Sequence, residues 1–107
     1  MNSLLLVMTH CPDQASAVAI AEKILHAKLA ACVNVLPEIR SLYTWNGQQE
    51  DQSEIPLQIK TCVAAYSALQ ALITEHHPYD VPEIIAVPVV HASEAYAKWV
   101  QQETTGY

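Results

Sequence analysis

The dipeptide Asn46-Gly47 separates two segments with strand-like composition. Asn followed by Gly is the strongest short-range signal of a β-hairpin, because both residues tolerate the positive φ angles of a tight turn. Residues 32–45 are rich in β-branched and aromatic side chains, and Pro37 predicts an edge strand or a bulge there. The return strand is predicted from about Glu54 to Thr61, with the acidic stretch before it widening the turn. The centre of the chain therefore predicts a long hairpin.

A strand and a helix are predicted before this hairpin. The apolar run from Leu4 to Thr9 indicates a strand covered on both faces. Asp13 is a good N-cap for a helix predicted from Gln14 to Ala30. The helical spacing of Val18, Ala21 and Leu25 indicates its apolar stripe.

The same pair of elements follows the hairpin in reverse order. A second helix with Leu69, Leu72 and Ile73 on one stripe must end at about His77, because the residue before Pro78 avoids the helical region. Residues 83–90 are predicted as the fourth strand, and Ser93 as the cap of a short last helix.

This order, β-α-β-β-α-β with an added C-terminal helix, predicts an α+β fold of the ferredoxin-like type, with residues 1–107 forming one domain. Right-handed crossovers place both main helices on one face of the sheet. The strands carry apolar residues on both faces, so the second face needs a cover. The last helix and other subunits are the candidates.

The charge and the cysteine content restrict the kinds of partner and the cellular compartment that we expect for this chain. The net charge is −6 and the five Lys and Arg residues are scattered, which argues against nucleic acid and an anionic membrane surface as partners. The opening apolar run follows no basic segment and stops after five residues, so it predicts neither a signal peptide nor a membrane span. Three widely spaced cysteines, Cys11, Cys32 and Cys62, suit a reducing compartment. We therefore expect a cytoplasmic protein.

Six segments of the chain form a set whose order and spacing are specific. The segments are Thr9-His10-Cys11-Pro12-Asp13, residues 28–34 (KLAACVN), residues 41–45 (SLYTW), Ile59-Lys60-Thr61, residues 76–85 (HHPYDVPEII) and residues 96–99 (YAKW). Together they resemble the CutA (divalent-cation tolerance) family over essentially the whole chain. The resemblance implies a ferredoxin-like protomer whose long hairpin, with Tyr43 and Trp45, reaches across subunits to form a homotrimer similar to the PII signalling proteins. It also implies tolerance of divalent metals, copper binding in some members, and no catalytic reaction.

The resemblance points to a copper site at His76 and His77, which match the family's histidine pair, while Thr9 occupies the position of the family's cysteine ligand. The strand order independently places the loop after His77 beside His10 and Cys11, and imidazole with thiolate suits copper. Adjacent helix positions differ by about 100°, so the two histidines cannot chelate one ion from a regular helix. Two alternatives therefore stay open, which are a packing role for His76 on the apolar stripe and, for either imidazole, an interaction with the negative C-terminal end of the helix.

Two further hypotheses remain. A second polar site is suggested by Lys60, Tyr79, Glu83 and Trp99. One hypothesis is that they line an inter-subunit cleft that holds a small anionic effector, as in a PII-like sensor. The alternative is that they form a structural ion pair. Cys11, before a helix N-terminus, would have a lowered pKa in a thiol-dependent enzyme. That hypothesis is the weaker one, because the chain has only two glycines and carries no phosphate loop or nucleophile turn.

Overall fold

A computed structural model describes residues 3–107, so Met1 and Asn2 of the predicted domain lie outside the described residues. The elements of this range are β1 Leu4–Cys11, α1 Gln14–His26, β2 Cys32–Val35, β3 Ile39–Trp45, β4 Gln48–Cys62, α2 Tyr66–His76, β5 Ile85–Pro88 and α3 Glu94–Glu103. A short 3₁₀ turn, Val63–Ala65, precedes α2.

The central sheet has the strand order β2-β4-β1-β5, and all of its pairs are antiparallel. β3 pairs with the first half of β4 in a two-stranded ribbon that extends beyond this sheet. The predicted ferredoxin-like α+β fold is confirmed. The interruption predicted at Pro37 is also present, since it falls between β2 and β3.

β4 begins earlier than predicted. The turn contains only Asn46 and Gly47, whose φ angles are +52° and +76°, and Trp45 pairs directly with Gln48. The prediction that the return strand starts near Glu54 is therefore wrong. Residues 48–53 are strand despite their polarity, because the ribbon is exposed and needs no apolar alternation.

The core lies between α1, α2 and one face of the sheet. Val7, Leu57 and Ile59 from the strands are fully buried there, as are Leu69 and Ile73 of α2. The buried residues of α1 are Ala17, Ile20, Ala21 and Ile24. The predicted stripe through Val18 and Leu25 is wrong in these two positions, since both are exposed.

α1 is capped at both ends by local hydrogen bonds. The Asp13 carboxylate accepts a 2.8 Å bond from the Ser16 amide, as predicted for an N-cap. At the other end Lys28 has a φ of +56°, and the amide of Leu29 donates to the carbonyl of Ile24. This left-handed C-terminal motif ends the helix at His26, a turn before the predicted Ala30.

The second face of the sheet is covered at one end by α3. Alternation along the paired strands puts Leu4 and Cys62 on this face, and both are buried where α3 packs on β1 and β4. The chain then returns to α1, where the Gly106 amide donates a 2.8 Å bond to the Lys28 carbonyl. β5 is shorter than the predicted strand 83–90, and all four of its residues are exposed at the sheet edge.

Candidate functional site

The end of β1 and the end of α2 meet, as the strand order predicts. His77 caps α2, and its Nε2 lies 2.7 Å from the main-chain oxygen of His10. The same nitrogen lies 3.9 Å from the Sγ atom of Cys11. Three of the four predicted metal-binding residues are thus neighbours.

The imidazole of His77 is fully engaged by its surroundings. Its Nε2 donates to the His10 carbonyl, and its Nδ1 accepts a 3.1 Å bond from the Tyr79 amide. The ring is buried, and this burial lowers its pKa against the opposing effects of the His10 carbonyl and the Glu54 charge. His77 is therefore a neutral ring that holds the loop after α2 against β1.

Cys11 does not have the properties of a reactive thiol. Its side chain is fully buried, and burial together with the charges of Asp13 and Glu54 raises its pKa to about 11. The lowered pKa expected beside the helix N-terminus is therefore wrong. Asp13 caps the helix, and its negative charge disfavours the thiolate of Cys11.

His76 lies apart from the other three. Its side chain is exposed and faces a shallow surface cavity shared with Glu22, Lys23 and His26 of α1. Its Nε2 lies 3.2 Å from the carboxylate of Glu75. The two adjacent histidines of the predicted pair therefore lie in different environments, His76 at the surface and His77 in a buried position.

Thr9, at the position where the family resemblance implies a cysteine ligand, faces the core. It is fully buried, and its hydroxyl has no hydrogen-bond partner. The equally buried Thr61 of the neighbouring strand, by contrast, donates a 2.7 Å bond to the Leu29 carbonyl. A hydroxyl at this position adds no soft ligand to Cys11 and His77.

The predicted copper ligands do not fit a metal ion in this conformation. His77 has no free ring nitrogen, Cys11 holds its proton and His76 points elsewhere. Over residues 3–107 no group of three or more His, Cys, Asp or Glu side chains is arranged to hold a metal ion.

A second polar group surrounds Glu54, which the sequence did not single out. Its carboxylate receives the Tyr79 hydroxyl at 2.9 Å and lies 3.2 Å from the Nδ1 atom of His10. Burial alone would raise the pKa of Glu54, but the hydrogen bonds from Ser41, Tyr79 and His10 outweigh it and lower the pKa. Burial and the bond to Glu54 also raise the pKa of Tyr79. Glu54 is therefore a buried carboxylate that keeps its charge.

Glu54 and His10 form the floor of a cavity of about 830 Å³ between the β3–β4 ribbon and the loop after α2. The ribbon supplies Ser41, Leu42, Tyr43, Trp45 and Glu50, and the loop supplies Pro78, Tyr79, Asp80, Val81 and Glu83. The Glu83 carboxylate lies 3.8 Å from the same Nδ1 atom of His10. A signal for Glu54 was present in the sequence, where it starts the apolar alternation at Ile55.

The four residues predicted to line one cleft lie at three places in the protomer. Tyr79 and Glu83 line the acidic cavity. Lys60 reaches Asn34 across β2 and β4, and Trp99 stacks against Tyr96 on α3, with ring centroids 5.6 Å apart. An anionic effector in the cavity would therefore meet carboxylates without Lys60.

Tyr43 and Trp45, the predicted interface residues, lie on the ribbon and line the cavity. Their exposed fractions are 40% and 50%, and that of the adjacent Leu42 is 71%. The ribbon thus presents a large apolar surface in the protomer.

Comparison with known proteins connects this geometry to a family. Residues 5–103 match the sequence profile of the family described as CutA1 divalent ion tolerance protein. The chain belongs to this family. This CutA1-family chain is 40% identical over 94 residues to the divalent-cation tolerance protein CutA of Citrobacter koseri, covering 88% of this chain and 82% of that one. It is also 42% identical over 94 residues to protein CutA of Mus musculus, and the match covers 88% of this chain and 53% of the mouse protein.

Solved structures agree with this family assignment. CutA1 from Oryza sativa superimposes with a TM-score of 0.94 at 34% identity, covering 98% of this chain and 96% of that one. A structure from Archaeoglobus fulgidus, described as a periplasmic divalent cation tolerance protein CutA, gives a TM-score of 0.92 at 26% identity, covering 95% and 99%. The CutA1-family chain spans about half the length of the mouse relative.

None of the helices within residues 3–107 combines the length and the apolar character that a membrane crossing requires.

Proposed function

We propose that this chain contributes to divalent-cation tolerance as a cytoplasmic, non-enzymatic homotrimer, and that copper is the metal it binds. The observation that carries the proposal is the family match across residues 5–103. Two ligand types that copper prefers, an imidazole nitrogen and a thiol, are neighbours at His77 Nε2 and Cys11 Sγ, 3.9 Å apart. Both are occupied in this conformation, so the proposal requires a local rearrangement before they bind the ion.

The exposed ribbon supports the homotrimer. Tyr43 and Trp45 lie on one face of the ribbon and Leu42 lies on the other, and all three are exposed in the protomer. Aromatic side chains contribute most strongly to subunit interfaces. β5 presents Ile85 and Val87 at an open sheet edge, and both are more than two-fifths exposed. Unpaired edges of this kind favour association with another chain. Light scattering coupled to gel filtration should give three times the chain mass at low micromolar concentration, and a monomer would contradict the proposal.

The absence of catalysis is supported by the state of Cys11. A nucleophilic thiol needs access and a low pKa, whereas this one is fully buried with its pKa raised to about 11. The proposal predicts no reaction of Cys11 with iodoacetamide at neutral pH in the folded protein. Cys32 is partly exposed and serves as the reactive reference, so its modification in the same sample shows that the reagent is active.

The copper contact is proposed at His76 or His77, helped by His10 or Cys11. Because His77 and Cys11 are held in other interactions, binding there must break the bond to the His10 carbonyl and remove the thiol proton. We therefore expect weak affinity that falls further as the pH is lowered, since ligands must be deprotonated.

Titration calorimetry with Cu(II) on the untagged protein tests this proposal. His76→Ala, His77→Ala and Cys11→Ser should weaken binding, whereas His91→Ala, an exposed histidine outside the group, should leave it unchanged. Thr9→Cys restores the family's ligand type and should tighten binding. If the three ligand variants bind copper as the parent does, the proposed metal site is wrong.

The proposed compartment is supported by three free cysteines, none of which forms a disulfide within the described chain. Fractionation of the native host by osmotic shock would test it, with known cytoplasmic and periplasmic marker enzymes as references. Recovery of the full-length protein in the shock fluid would contradict a cytoplasmic location.

A further inference from the structure

A groove on the helix layer, here called the helix groove, holds two imidazoles that come from different helices. α1 lines it with Ala19, Glu22, Lys23 and His26, which follow the spacing i, i+3, i+4 and i+7 and so form one exposed stripe. α2 contributes its last residue, His76. The helix groove therefore brings together two metal-binding side chains that are far apart in the sequence.

The helix groove lies outside the proposed subunit interface. None of its lining residues belongs to the β3–β4 ribbon or to β5, the two elements that carry the proposed contacts between subunits. The stripe on α1 is also on the side of the helix away from the buried residues Ile20 and Ile24. Assembly through the ribbon and the sheet edge therefore leaves this groove open.

Both imidazoles of the helix groove are available, in contrast to that of His77. Their side chains are exposed, and within residues 3–107 the His26 ring takes part in no hydrogen bond or ion pair. The Nε2 atom of His76 lies 3.2 Å from the exposed carboxylate of Glu75, a contact that water can replace. Binding here breaks no buried contact, whereas binding at His77 must break its bond to the His10 carbonyl.

The surroundings of the two imidazoles supply negative charge. Glu22 stands four residues before His26, so its carboxylate is one turn away on the same stripe. His26 and His76 are each the last residue of their helix, where unpaired carbonyl groups carry partial negative charge. Lys23 is the opposing charge in the lining, and its long side chain reaches solvent.

The donor set suits a transition-metal ion. Imidazole nitrogen is a preferred ligand of such ions, and two histidines with a carboxylate and water is a set typical of zinc. The side chains as they stand do not converge on one point, since residues 3–107 contain no group of three ligands arranged for a metal. Glu22, His26 and His76 are all exposed, so rotation about their side-chain bonds is enough to bring them to one ion.

We propose that the helix groove binds a Zn(II) ion between His26 of α1 and His76 of α2, with Glu22 supplying a carboxylate and water completing the coordination. The ion links two helices whose contact is otherwise the apolar packing of the core. This site needs neither Cys11 nor His77 and shares only His76 with the proposed copper contact.

Titration calorimetry with Zn(II) on the untagged, assembled protein tests the assignment. Binding should be saturable, and His26→Ala and His76→Ala should each weaken it by roughly tenfold or more. His91→Ala, an exposed histidine outside the groove, should leave it unchanged. If His26→Ala binds Zn(II) as the parent does, the ion is adventitious and the proposal is wrong.

Lys23→Gln provides a test of opposite sign. It removes a positive charge beside the ion and should tighten Zn(II) binding, because like charges repel. Lys98→Gln, an exposed cation on α3, is the matched control and should have no effect. Unchanged or weaker binding in Lys23→Gln would contradict the placement of the ion in this groove.

Thermal unfolding gives a readout that does not depend on calorimetry. An ion that binds only the folded protein raises the unfolding midpoint, so Zn(II) should raise it in the parent. The same concentration should produce a clearly smaller rise in His26→Ala. An equal rise in both proteins would overturn the proposal.

This inference and the proposed function fail separately. Zn(II) binding that is lost in His26→Ala and kept in Cys11→Ser would support the helix groove, whatever the result for copper. Copper binding that is lost in Cys11→Ser, in a protein whose helix groove binds no Zn(II), would support the copper contact and remove this inference.

Discussion

His77 donates the proton of its Nε2 atom to the main-chain oxygen of His10, 2.7 Å away, and so ties the end of α2 to the end of β1. Its other ring nitrogen accepts the Tyr79 amide, and the Tyr79 hydroxyl in turn reaches Glu54. One neutral imidazole thus positions a wall of the acidic cavity. Protonation would turn its accepting nitrogen into a second donor and break this chain of contacts.

Stability should therefore fall when the protein is acidified from about pH 6.5, the pKa of a histidine in the unfolded chain. The folded-state pKa of His77 is lowered, so the unfolded chain takes up the proton first and is favoured as pH falls. Glu54, whose folded-state pKa is also lowered, adds a further loss below the ordinary carboxyl range. Chemical denaturation at fixed protein concentration measures this dependence.

His77→Gln is the matched variant for this experiment, because it keeps a donor but does not titrate. Its stability should change less than that of the parent between pH 7 and the carboxyl range. Identical pH profiles for the two proteins would show that His77 is not responsible.

The buried hydroxyl of Thr9 should be a source of instability. Thr9→Val removes a polar group that has no partner and should raise the free energy of unfolding by about 1 kcal/mol. Thr61→Val is the control, since it leaves the Leu29 carbonyl unpaired and should lower this free energy by about 2 kcal/mol. Denaturant unfolding of both variants decides the matter, and a destabilised Thr9→Val would mean that its hydroxyl has a partner after all.

Trp45→Ala should weaken the homotrimer more than it disturbs the protomer. The indole is half exposed at the end of the ribbon, and its loss removes contact area from the proposed interface without emptying the core. Sedimentation in dilute denaturant measures dissociation, and far-ultraviolet circular dichroism follows the protomer. Leu25→Ala, an exposed apolar residue on α1, is the control. A fully trimeric Trp45→Ala protein under conditions that leave the parent trimeric would remove Trp45 from the interface.

Gly106→Ala should release the C-terminal segment from α1. A Cβ atom on Gly106 would lie 1.7 Å from the Ala27 carbonyl oxygen, so the 2.8 Å bond to Lys28 cannot survive. Gly47→Ala is the contrasting change, because its Cβ meets open space and only the positive φ opposes it, at a cost of about 1 kcal/mol. Carboxypeptidase should trim Gly106→Ala faster than Gly47→Ala. Equal trimming would mean that the segment is not docked in solution.

Signals that act locally predicted the fold well. Asn46-Gly47 placed the turn, Asp13 the start of α1 and Pro78 the end of α2, since each acts through its own backbone. The ribbon half of β4 was missed because a strand exposed on both faces shows no apolar period. In α1 two apolar stripes compete in an alanine-rich sequence, and only the packing partner decides that Ile20 and Ile24 are buried rather than Val18 and Leu25.

The site was harder to predict than the fold. Strand order alone brought His77 to His10 and Cys11, but no sequence signal shows that both ring nitrogens of His77 are used. Glu54 was missed because its importance depends on partners 13 to 44 residues away, at Ser41, Tyr79 and His10. The acidic character of the cavity likewise arises only when ribbon and loop face each other.

β4 runs without a break from the ribbon into the central sheet. This one strand therefore determines which side chains lie on each face of the ribbon and of the sheet. Side chains alternate along it, and losing a single residue between Gln48 and Ser53 would turn every ribbon side chain to the opposite side. Related chains should therefore differ in ribbon length by two residues per strand, or carry a bulge where the count is odd. The lengths of this ribbon in homologues would then show whether the same face of the ribbon is preserved across the family.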